Sequence, residues 1–278
     1  FIIFAICLVI AIPISISLGI VAVLPGAFDA SFTASAGYVI RSMVGGIDSF
    51  PLLAVPMFVL AGILMAHGKI SEKLFDVFVY FLGNKRAGIP CAVIITCLFY
   101  GAISGSAPAT VAAVGSMTIP LLIELGYEKD FSTAIVAVAG GLGVIIPPSI
   151  PFIMYAMATG ESVSDLFLAG IVPGMMISAL LIFYAYYYCR RHGEDREKIQ
   201  AKMAQLKTKG FVNILKESIW ALLSPVIVLG CIYSGVASPT EAAVISVFYS
   251  LFVSLFIYRS IKVKQIWGIM VEAMKTYA

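Results

Sequence analysis

The chain has 278 residues, of which 61% are hydrophobic and 12% are charged, and its formal net charge is +3. The mean hydropathy of +1.03 lies far outside the range of soluble domains and excludes a water-soluble globular protein. Because uncharged apolar runs are long enough to cross roughly 30 Å of hydrocarbon, the composition predicts an all-α polytopic membrane protein.

Apolar runs alternate with polar connectors along the whole chain. We predict membrane segments at about 1–24, 51–66, 88–123, 131–158, 164–189, 218–235 and 239–258. The first run lacks the basic start and the cleavage site of a signal peptide, so we interpret it as one transmembrane helix. Charges mixed with apolar residues at helical spacing predict helices lying in the membrane interface over 69–86 and 262–278, with a weaker pattern over 31–45.

The run 88–123 is too long for one crossing, and the letters "ISGSAP" interrupt its middle. We predict a helical hairpin that dips into the membrane, leaves on the side from which it entered, and turns at Ser104–Pro108. Gly105 can adopt the positive φ that a helix end requires, Ser106 is a good N-cap, and Pro108 fits a first turn, where no N–H is needed. This stretch alone leaves open the alternative that its small residues only allow close helix packing.

The next apolar run is interrupted by "GVIIPPSIPF". Pro147–Pro148 lack the N–H groups that would bond to the carbonyls of Gly143 and Val144. We therefore predict a broken helix that stops near Ile146 and resumes around Ser149. Unwound carbonyls and half-helix ends bind coupling cations and anionic groups in secondary transporters, and a proline kink that only shapes the helix is the alternative.

Lys and Arg are distributed unevenly along the chain. The segment 190–216 carries eight of them, which predicts a cytoplasmic linker and is typical of a solvated connector rather than a nucleic-acid site. If residue 1 starts inside and 88–123 returns to the same side, 17 of the 18 Lys and Arg are cytoplasmic, in 69–86, 124–130, 190–216 and 259–278. This asymmetry predicts the topology.

Five motifs occur in a fixed order: "FPLLAVPMFVLAGILMA", "GAISGSAPATVAAVGSMTIP", "GGLGVIIPPSIPFIMYA", "LFLAGIVPG" and "SPTEAA". Together they resemble the large membrane subunit (DctM type) of tripartite ATP-independent periplasmic (TRAP) transporters. The resemblance implies an inverted-repeat, elevator-type fold in the bacterial inner membrane. It also implies Na⁺ as the coupling ion, no organic cofactor, and small acidic organic solutes as substrates. The implied partners are a small four-helix membrane subunit and a periplasmic substrate-binding protein.

The resemblance also implies site residues. The family's Na⁺ site joins the first hairpin tip to the broken helix. In this sequence the tip residues correspond to Ser104 and Ser106, and the carbonyl donors of the broken helix correspond to Gly143, Ile146 and Pro148. The residues expected on the substrate side of the hairpin and the broken helix are Gly105, Ala107, Val144, Pro147 and Ser149.

With this resemblance, the predicted organisation covers the whole chain. It comprises scaffold helices with an interfacial segment (1–68), an interfacial arm helix (69–86), a transport-domain hairpin and broken helix (87–163), a membrane helix (164–189), the cytoplasmic linker (190–216) and the start of a second repeat (217–278). Family members have a hairpin and a broken helix in each repeat. We therefore expect this chain to be a fragment that lacks the second hairpin and its Na⁺ site and does not transport alone.

Enzyme functions fit poorly. No His or Lys lies inside a predicted span to activate Ser104, and the His and carboxylate clusters of metalloproteases are absent from the sequence. The rival from another class is a channel, or an anion permease independent of a binding protein, because channels also use re-entrant helices and carbonyls. The segment Ser238–Glu241 ("SPTE") predicts a capping box rather than a ligand site. No side chain indicates which acidic solute is carried.

Overall fold

The structure, a computed structural model, describes residues 2–28, 36–208 and 210–277. In these ranges the chain is helical and contains no strand, as predicted for an all-α protein. The helices are α1 (Ile2–Val9), α2 (Ile14–Phe28), α3 (Ala36–Ile47), α4 (Ala54–His67), α5 (Ile70–Leu82), α6 (Gly88–Ser104), α7 (Ala107–Glu124), α8 (Lys129–Gly140), α9 (Ile150–Thr159), α10 (Val163–His192), α11 (Arg196–Thr208), α12 (Phe211–Tyr233), α13 (Pro239–Phe252) and α14 (Val263–Tyr277). The chain divides into two compact units between Phe50 and Pro51.

The first unit contains α1, α2 and α3. The prediction of one continuous helix over 1–24 is wrong, because the chain leaves the helical path between α1 and α2. Pro13 cannot donate a helical hydrogen bond and clashes with the preceding turn, and Ala11 has a left-handed φ of 62°. The predicted interfacial stretch 31–45 lies outside the described residues up to 35, and α3 covers the rest.

The second unit is built around α6, whose face buries large side chains such as Tyr100 and Ile103. Helices α5, α7, α8, α10 and α12 pack around α6, and α4 packs against α13 and α14. The stretches predicted as interfacial helices, 69–86 and 262–278, contain α5 and α14. Lys73 of α5 pairs with Glu217 of α12, and His67 at the end of α4 lies 3.0 Å from Glu272 of α14. These exposed polar contacts add little to the packing of α5 against α12 and of α14 against α4.

Five helical segments in the described ranges are long and apolar enough to cross a membrane: Phe50–His67, α7, α10, α12 and Pro239–Ile257. They make the chain a multi-pass membrane protein. Helices α6 and α7 have 17 and 18 residues, and at 1.5 Å per residue they are about 26 and 27 Å long. These bounds agree with the predicted run 88–123 and its turn at Ser104–Pro108. The re-entrant path stays a prediction, since two crossings would also return to one side.

The segment 190–216 is here called the basic linker, and part of it packs against the protein core. It contains α11, whose Ile199, Met203 and Leu206 are buried in the main core. Their spacing of four and three residues places them on one helical face, while the charged side chains cover the other faces. The interpretation of the whole segment as a solvated connector is therefore wrong for α11.

The predicted capping box at the start of α13 is confirmed. The Ser238 N–H donates to Glu241 Oε2 over 2.8 Å, and the Glu241 N–H donates to Ser238 Oγ over 3.3 Å. Both bonds satisfy N–H groups that a helix start leaves without partners. Glu241 therefore acts as a helix-start residue, as the sequence indicated.

Candidate functional site

The hairpin turns where the sequence predicted. Helix α6 ends at Ser104, and α7 begins at Ala107 with Pro108 in its first turn. Gly105 has a left-handed φ of 62°, and its N–H donates to a carbonyl four residues earlier over 3.0 Å. Ser106 occupies the N-cap position with extended backbone, but its side chain forms no capping hydrogen bond. Backbone geometry at the tip is therefore confirmed, and the capping role of the Ser106 hydroxyl is not.

Three oxygen atoms converge inside the tip. Ser104 Oγ lies 3.0 Å from Thr110 Oγ1, and Thr110 Oγ1 donates to the Ser106 carbonyl over 2.8 Å. Ser104 and Thr110 are fully buried, and Ser106 is partly buried. We call Ser104 Oγ, Thr110 Oγ1 and the Ser106 carbonyl oxygen the oxygen cluster. Thr110 was missed by the sequence analysis; its signal is its position four residues after the predicted N-cap.

The broken helix ends earlier than predicted and resumes as predicted. Helix α8 stops at Gly140, a 3₁₀ turn covers Gly141–Val144, and α9 begins after Ser149. Gly140, Gly141 and Gly143 precede the two prolines and destabilise the α-helix there. The chain therefore changes to 3₁₀ geometry several residues before Ile146. Ser149 caps α9 by accepting from the Phe152 N–H.

The Ser149 hydroxyl also donates to the Val144 carbonyl over 2.6 Å. One side chain thus bridges the two sides of the break. Val144 thus lies at the break, as the sequence indicated, and its carbonyl accepts one hydrogen bond there.

The hairpin tip and the broken helix contact each other at Gly143. A Cβ atom on Gly143 would lie 2.5 Å from Thr110 Oγ1 and 3.0 Å from the Ser106 carbonyl oxygen. A Cβ atom on Gly101 of α6 would lie 2.6 Å from Gly143 Cα. The backbone of Gly143 therefore lies directly against the oxygen cluster, at a distance that excludes any side chain. Ser104, Ser106 and Gly143, which the sequence assigned to one site, are brought together.

A second contact joins the tip to the end of the break. The Ile150 N–H, in the first turn of α9, donates to the Gly105 carbonyl over 3.2 Å. A Cβ atom on Gly105 would lie 2.9 Å from the Pro148 carbonyl oxygen. Pro148 thus approaches the tip from the other side, and the N-terminal ends of α7 and α9 lie close to each other. Pro147 is buried within the break.

Ile146 was expected to contribute its carbonyl oxygen, and its side chain lies away from the hairpin tip. Its side chain points toward α10, since a Cβ atom on Gly174 would lie 2.2 Å from Ile146 Cδ1. The side chain is buried there. Any contribution of Ile146 to the site would have to come from its backbone.

Helix α4 closes the side of the site. Tyr100 donates its hydroxyl hydrogen to the Gly62 carbonyl over 2.7 Å, and a Cβ atom on Gly62 would lie 2.9 Å from Ser104 Cβ. Tyr100 is fully buried. Nothing in the sequence distinguishes Gly62 and Tyr100, because a glycine and a tyrosine in apolar helices resemble ordinary packing residues.

Chemically, the site offers oxygen atoms to a small cation. Hydroxyl and carbonyl oxygens are the ligands of hard cations, whereas transition metals favour sulfur and imidazole. Across the described ranges, no group of three or more His, Cys, Asp or Glu could hold a metal ion. The oxygen cluster and the neighbouring backbone of Gly143 offer oxygen ligands of the kind that hard cations take. The nearby start of α7 offers the positive end of a helix dipole to an anion.

Comparison with known proteins gives one family for the whole chain. The family model described as "Tripartite ATP-independent periplasmic transporter, DctM component" matches residues 1–278. The match includes both the hairpin and the broken helix.

Curated relatives can be aligned with most of the chain. An isethionate TRAP transporter permease protein of Oleidesulfovibrio alaskensis is 43% identical over 99% of this chain and 42% of that protein. A C4-dicarboxylate TRAP transporter large permease protein of Pseudomonas aeruginosa is 39% identical over 82% of this chain and 52% of that protein. An ectoine/5-hydroxyectoine TRAP transporter large permease protein of Ruegeria pomeroyi is 35% identical over 82% of this chain and 52% of that protein. The chain spans about half the length of these curated relatives.

Proposed function

The chain belongs to the DctM component family of tripartite ATP-independent periplasmic transporters, and we propose that it acts in a Na⁺-coupled permease that takes up small acidic organic solutes. The contact between the oxygen cluster and the backbone of Gly143 is the observation that supports this function best. It joins two interrupted membrane segments at one point, as expected where a coupling ion binds.

Na⁺ fits this point because the ligands come from both segments. Ser104 and Thr110 contribute hydroxyl oxygens, Ser106 contributes its carbonyl, and the broken helix contributes backbone at Gly143. Pro148, also expected as a carbonyl donor, approaches the tip at Gly105. An ion shared by these groups stabilises the contact between tip and break. Binding therefore favours one conformation of the hairpin, which is how an ion can drive a conformational equilibrium.

An acidic substrate fits the adjacent helix ends. Helices α7 and α9 begin on either side of the bond between the Ile150 N–H and the Gly105 carbonyl. Each helix start carries a partial positive charge, and two together favour an anionic group. Two of the relatives are named for isethionate and for C4-dicarboxylates, both of which are anions.

The remaining features follow from the family. We assign α6–α9 to the moving part of an elevator-type transporter, with the hairpin re-entrant, and α5 and α14 to the arms that brace it. The Lys and Arg distribution supports a topology with residue 1 and the basic linker in the cytoplasm of a bacterial inner membrane. A small membrane subunit and a periplasmic binding protein complete the transporter.

Uptake into proteoliposomes tests this function. The permease at its natural length, with its small membrane subunit, is given a labelled acidic solute. A Na⁺ gradient is present or absent, and a periplasmic binding protein is supplied or withheld. The proposal predicts saturable uptake only when both are present. Uptake or current that needs neither would contradict it and would instead support a channel or an anion permease independent of a binding protein.

A further inference from the structure

Glu194 is a buried carboxylate in the most charged part of the chain. It lies in the basic linker between the end of α10 and the start of α11, and its side chain is only 2% exposed. A carboxylate withdrawn from water destabilises a protein unless hydrogen bonds and opposite charge replace its hydration. The groups that surround Glu194 therefore show what this position does.

Both ends of the hairpin bind this one carboxylate. The Ala87 N–H, at the start of α6, donates to the two Glu194 oxygens over 3.0 and 3.2 Å. The Tyr127 hydroxyl, in the turn that follows α7, donates to Glu194 Oε1 over 2.7 Å. Arg196 Nη2 lies 3.7 Å from the other oxygen and supplies positive charge. Two legs that are separate in sequence are thus joined at their base by one side chain.

The Ala87 N–H and the Tyr127 hydroxyl are well suited to donate hydrogen bonds to a carboxylate. Ala87 has a left-handed φ of 56° at the N-cap position, where the helix itself offers its N–H no acceptor. Burial, and then the hydrogen bond to Glu194, raise the pKa of Tyr127 above its ordinary value. Tyr127 therefore keeps its proton at neutral pH and remains a donor.

Neighbouring contacts extend the same junction. Arg196 Nη1 donates to the Asn84 carbonyl over 3.4 Å, and a Cβ atom on Gly126 would lie 3.2 Å from Asp195 Cβ. A Cβ atom on Gly83 would lie 2.4 Å from Met203 Sδ. The turn before the hairpin and the turn after it are therefore both covered by residues of the basic linker.

We propose that Glu194 is a positioning residue that joins the two legs of the hairpin and the basic linker into one body. The hairpin then stays closed at its base while the ion site at its tip exchanges its ion. Separating the linker from the hairpin would leave the Ala87 N–H, the Tyr127 hydroxyl and the carboxylate buried without partners. This inference rests on the proposed function only in that the tip is taken to bind Na⁺.

A distance measurement tests the junction without relying on transport. Spin labels are attached at the exposed positions Glu124, at the end of α7, and Gln200, on α11. The five native cysteines are buried or half-buried, which favours selective labelling of two introduced cysteines. The proposal predicts one narrow distance distribution that is the same with and without Na⁺. Two populations, or a shift on adding Na⁺, would overturn it.

Single-residue variants then test whether Glu194 holds the junction together. Glu194→Ala should broaden the distance distribution and speed trypsin cleavage in the basic linker. Glu197→Ala removes an exposed carboxylate of the same linker and should do neither. Tyr127→Phe should have a smaller effect than Glu194→Ala and should add nothing to it in the double variant, because the two groups share one bond. If Glu194→Ala fails to fold, Tyr127→Phe and the unmodified permease still decide the question.

Transport provides a second measurement, the half-saturating Na⁺ concentration, which would not change if Glu194 only stabilised the fold. The half-saturating Na⁺ concentration does not depend on how many molecules are folded. Glu194→Ala should raise it threefold or more, and Glu197→Ala should leave it unchanged. An unchanged value in folded Glu194→Ala would overturn the positioning role. If the unmodified permease shows no Na⁺ dependence, the proposed function fails, while the distance and cleavage measurements still test the junction.

Discussion

Replacing Thr110 by Val removes one oxygen from the proposed cation site and keeps the shape of the side chain. Thr110 is fully buried, and its hydroxyl contacts both Ser104 Oγ and the Ser106 carbonyl. A hydrogen bond or ligand contact to a charged group contributes about 1.5–3 kcal/mol. At about 1.4 kcal/mol for each tenfold change, the half-saturating Na⁺ concentration should rise about ten- to a hundredfold.

Thr118→Val is the matched control on the same helix. Thr118 is also fully buried, and its hydroxyl donates to the Val114 carbonyl over 2.8 Å, as the Thr110 hydroxyl does to Ser106. Both variants lose a neutral hydrogen bond, which contributes about 1 kcal/mol to stability. Only Thr110 lies against Gly143, so only its loss should change the response to Na⁺.

The assay is initial uptake of a labelled acidic solute over a range of Na⁺ concentrations at a fixed membrane potential. Thermal unfolding of the purified variants shows whether their stabilities are comparable. Equal half-saturating Na⁺ concentrations for the two variants would refute the reasoning, because the hydroxyl of Thr110 would then contribute only to helix packing.

Three further predictions concern single positions. Gly143→Ala should abolish Na⁺-dependent uptake, since its Cβ would lie 2.5 Å from Thr110 Oγ1, whereas Gly141→Ala, which meets no atom within 4 Å, should retain it; equal uptake by the two would contradict the close approach. Ser149→Ala should lower stability by at least about 1 kcal/mol through loss of the α9 cap and of the bond to the Val144 carbonyl, seen as a lower midpoint of thermal unfolding, and an unchanged midpoint would count against both contacts. Ser238→Ala should cost about as much by breaking the capping box while leaving the half-saturating Na⁺ concentration unchanged, and a change in that concentration would give this helix start a role in ion binding.

Local backbone chemistry made part of the site predictable from sequence. The positive φ of Gly105, the place of Pro108, the restart of the helix at Ser149 and the capping box at Ser238 were predicted correctly, because each depends on a few neighbouring residues. The predicted capping hydrogen bond of the Ser106 hydroxyl is absent. The end of α8 was misplaced by several residues. The cumulative effect of three glycines on a helix is harder to rank than the effect of a proline pair.

Long-range contacts were not predictable in the same way. Thr110 reads in the sequence as one small residue in an apolar helix, and Glu194 reads as one charge in a charged run. Their roles appear only when α7 meets the broken helix and when the basic linker meets both ends of the hairpin. Neither contact has a spacing that sequence could reveal, since the partners of Glu194 lie 67 and 107 residues away.

Direct binding of radioactive Na⁺ to the purified permease tests the central claim, that the hairpin tip and the broken helix hold a coupling ion. The unmodified protein is compared with the double variant Ser104→Ala/Thr110→Val, which removes both hydroxyl oxygens of the oxygen cluster, and with Thr118→Val. We predict that the double variant binds one ion fewer, or binds it at least tenfold more weakly, while Thr118→Val binds like the unmodified protein. Identical binding curves for all three would contradict the assignment of the ion to this site.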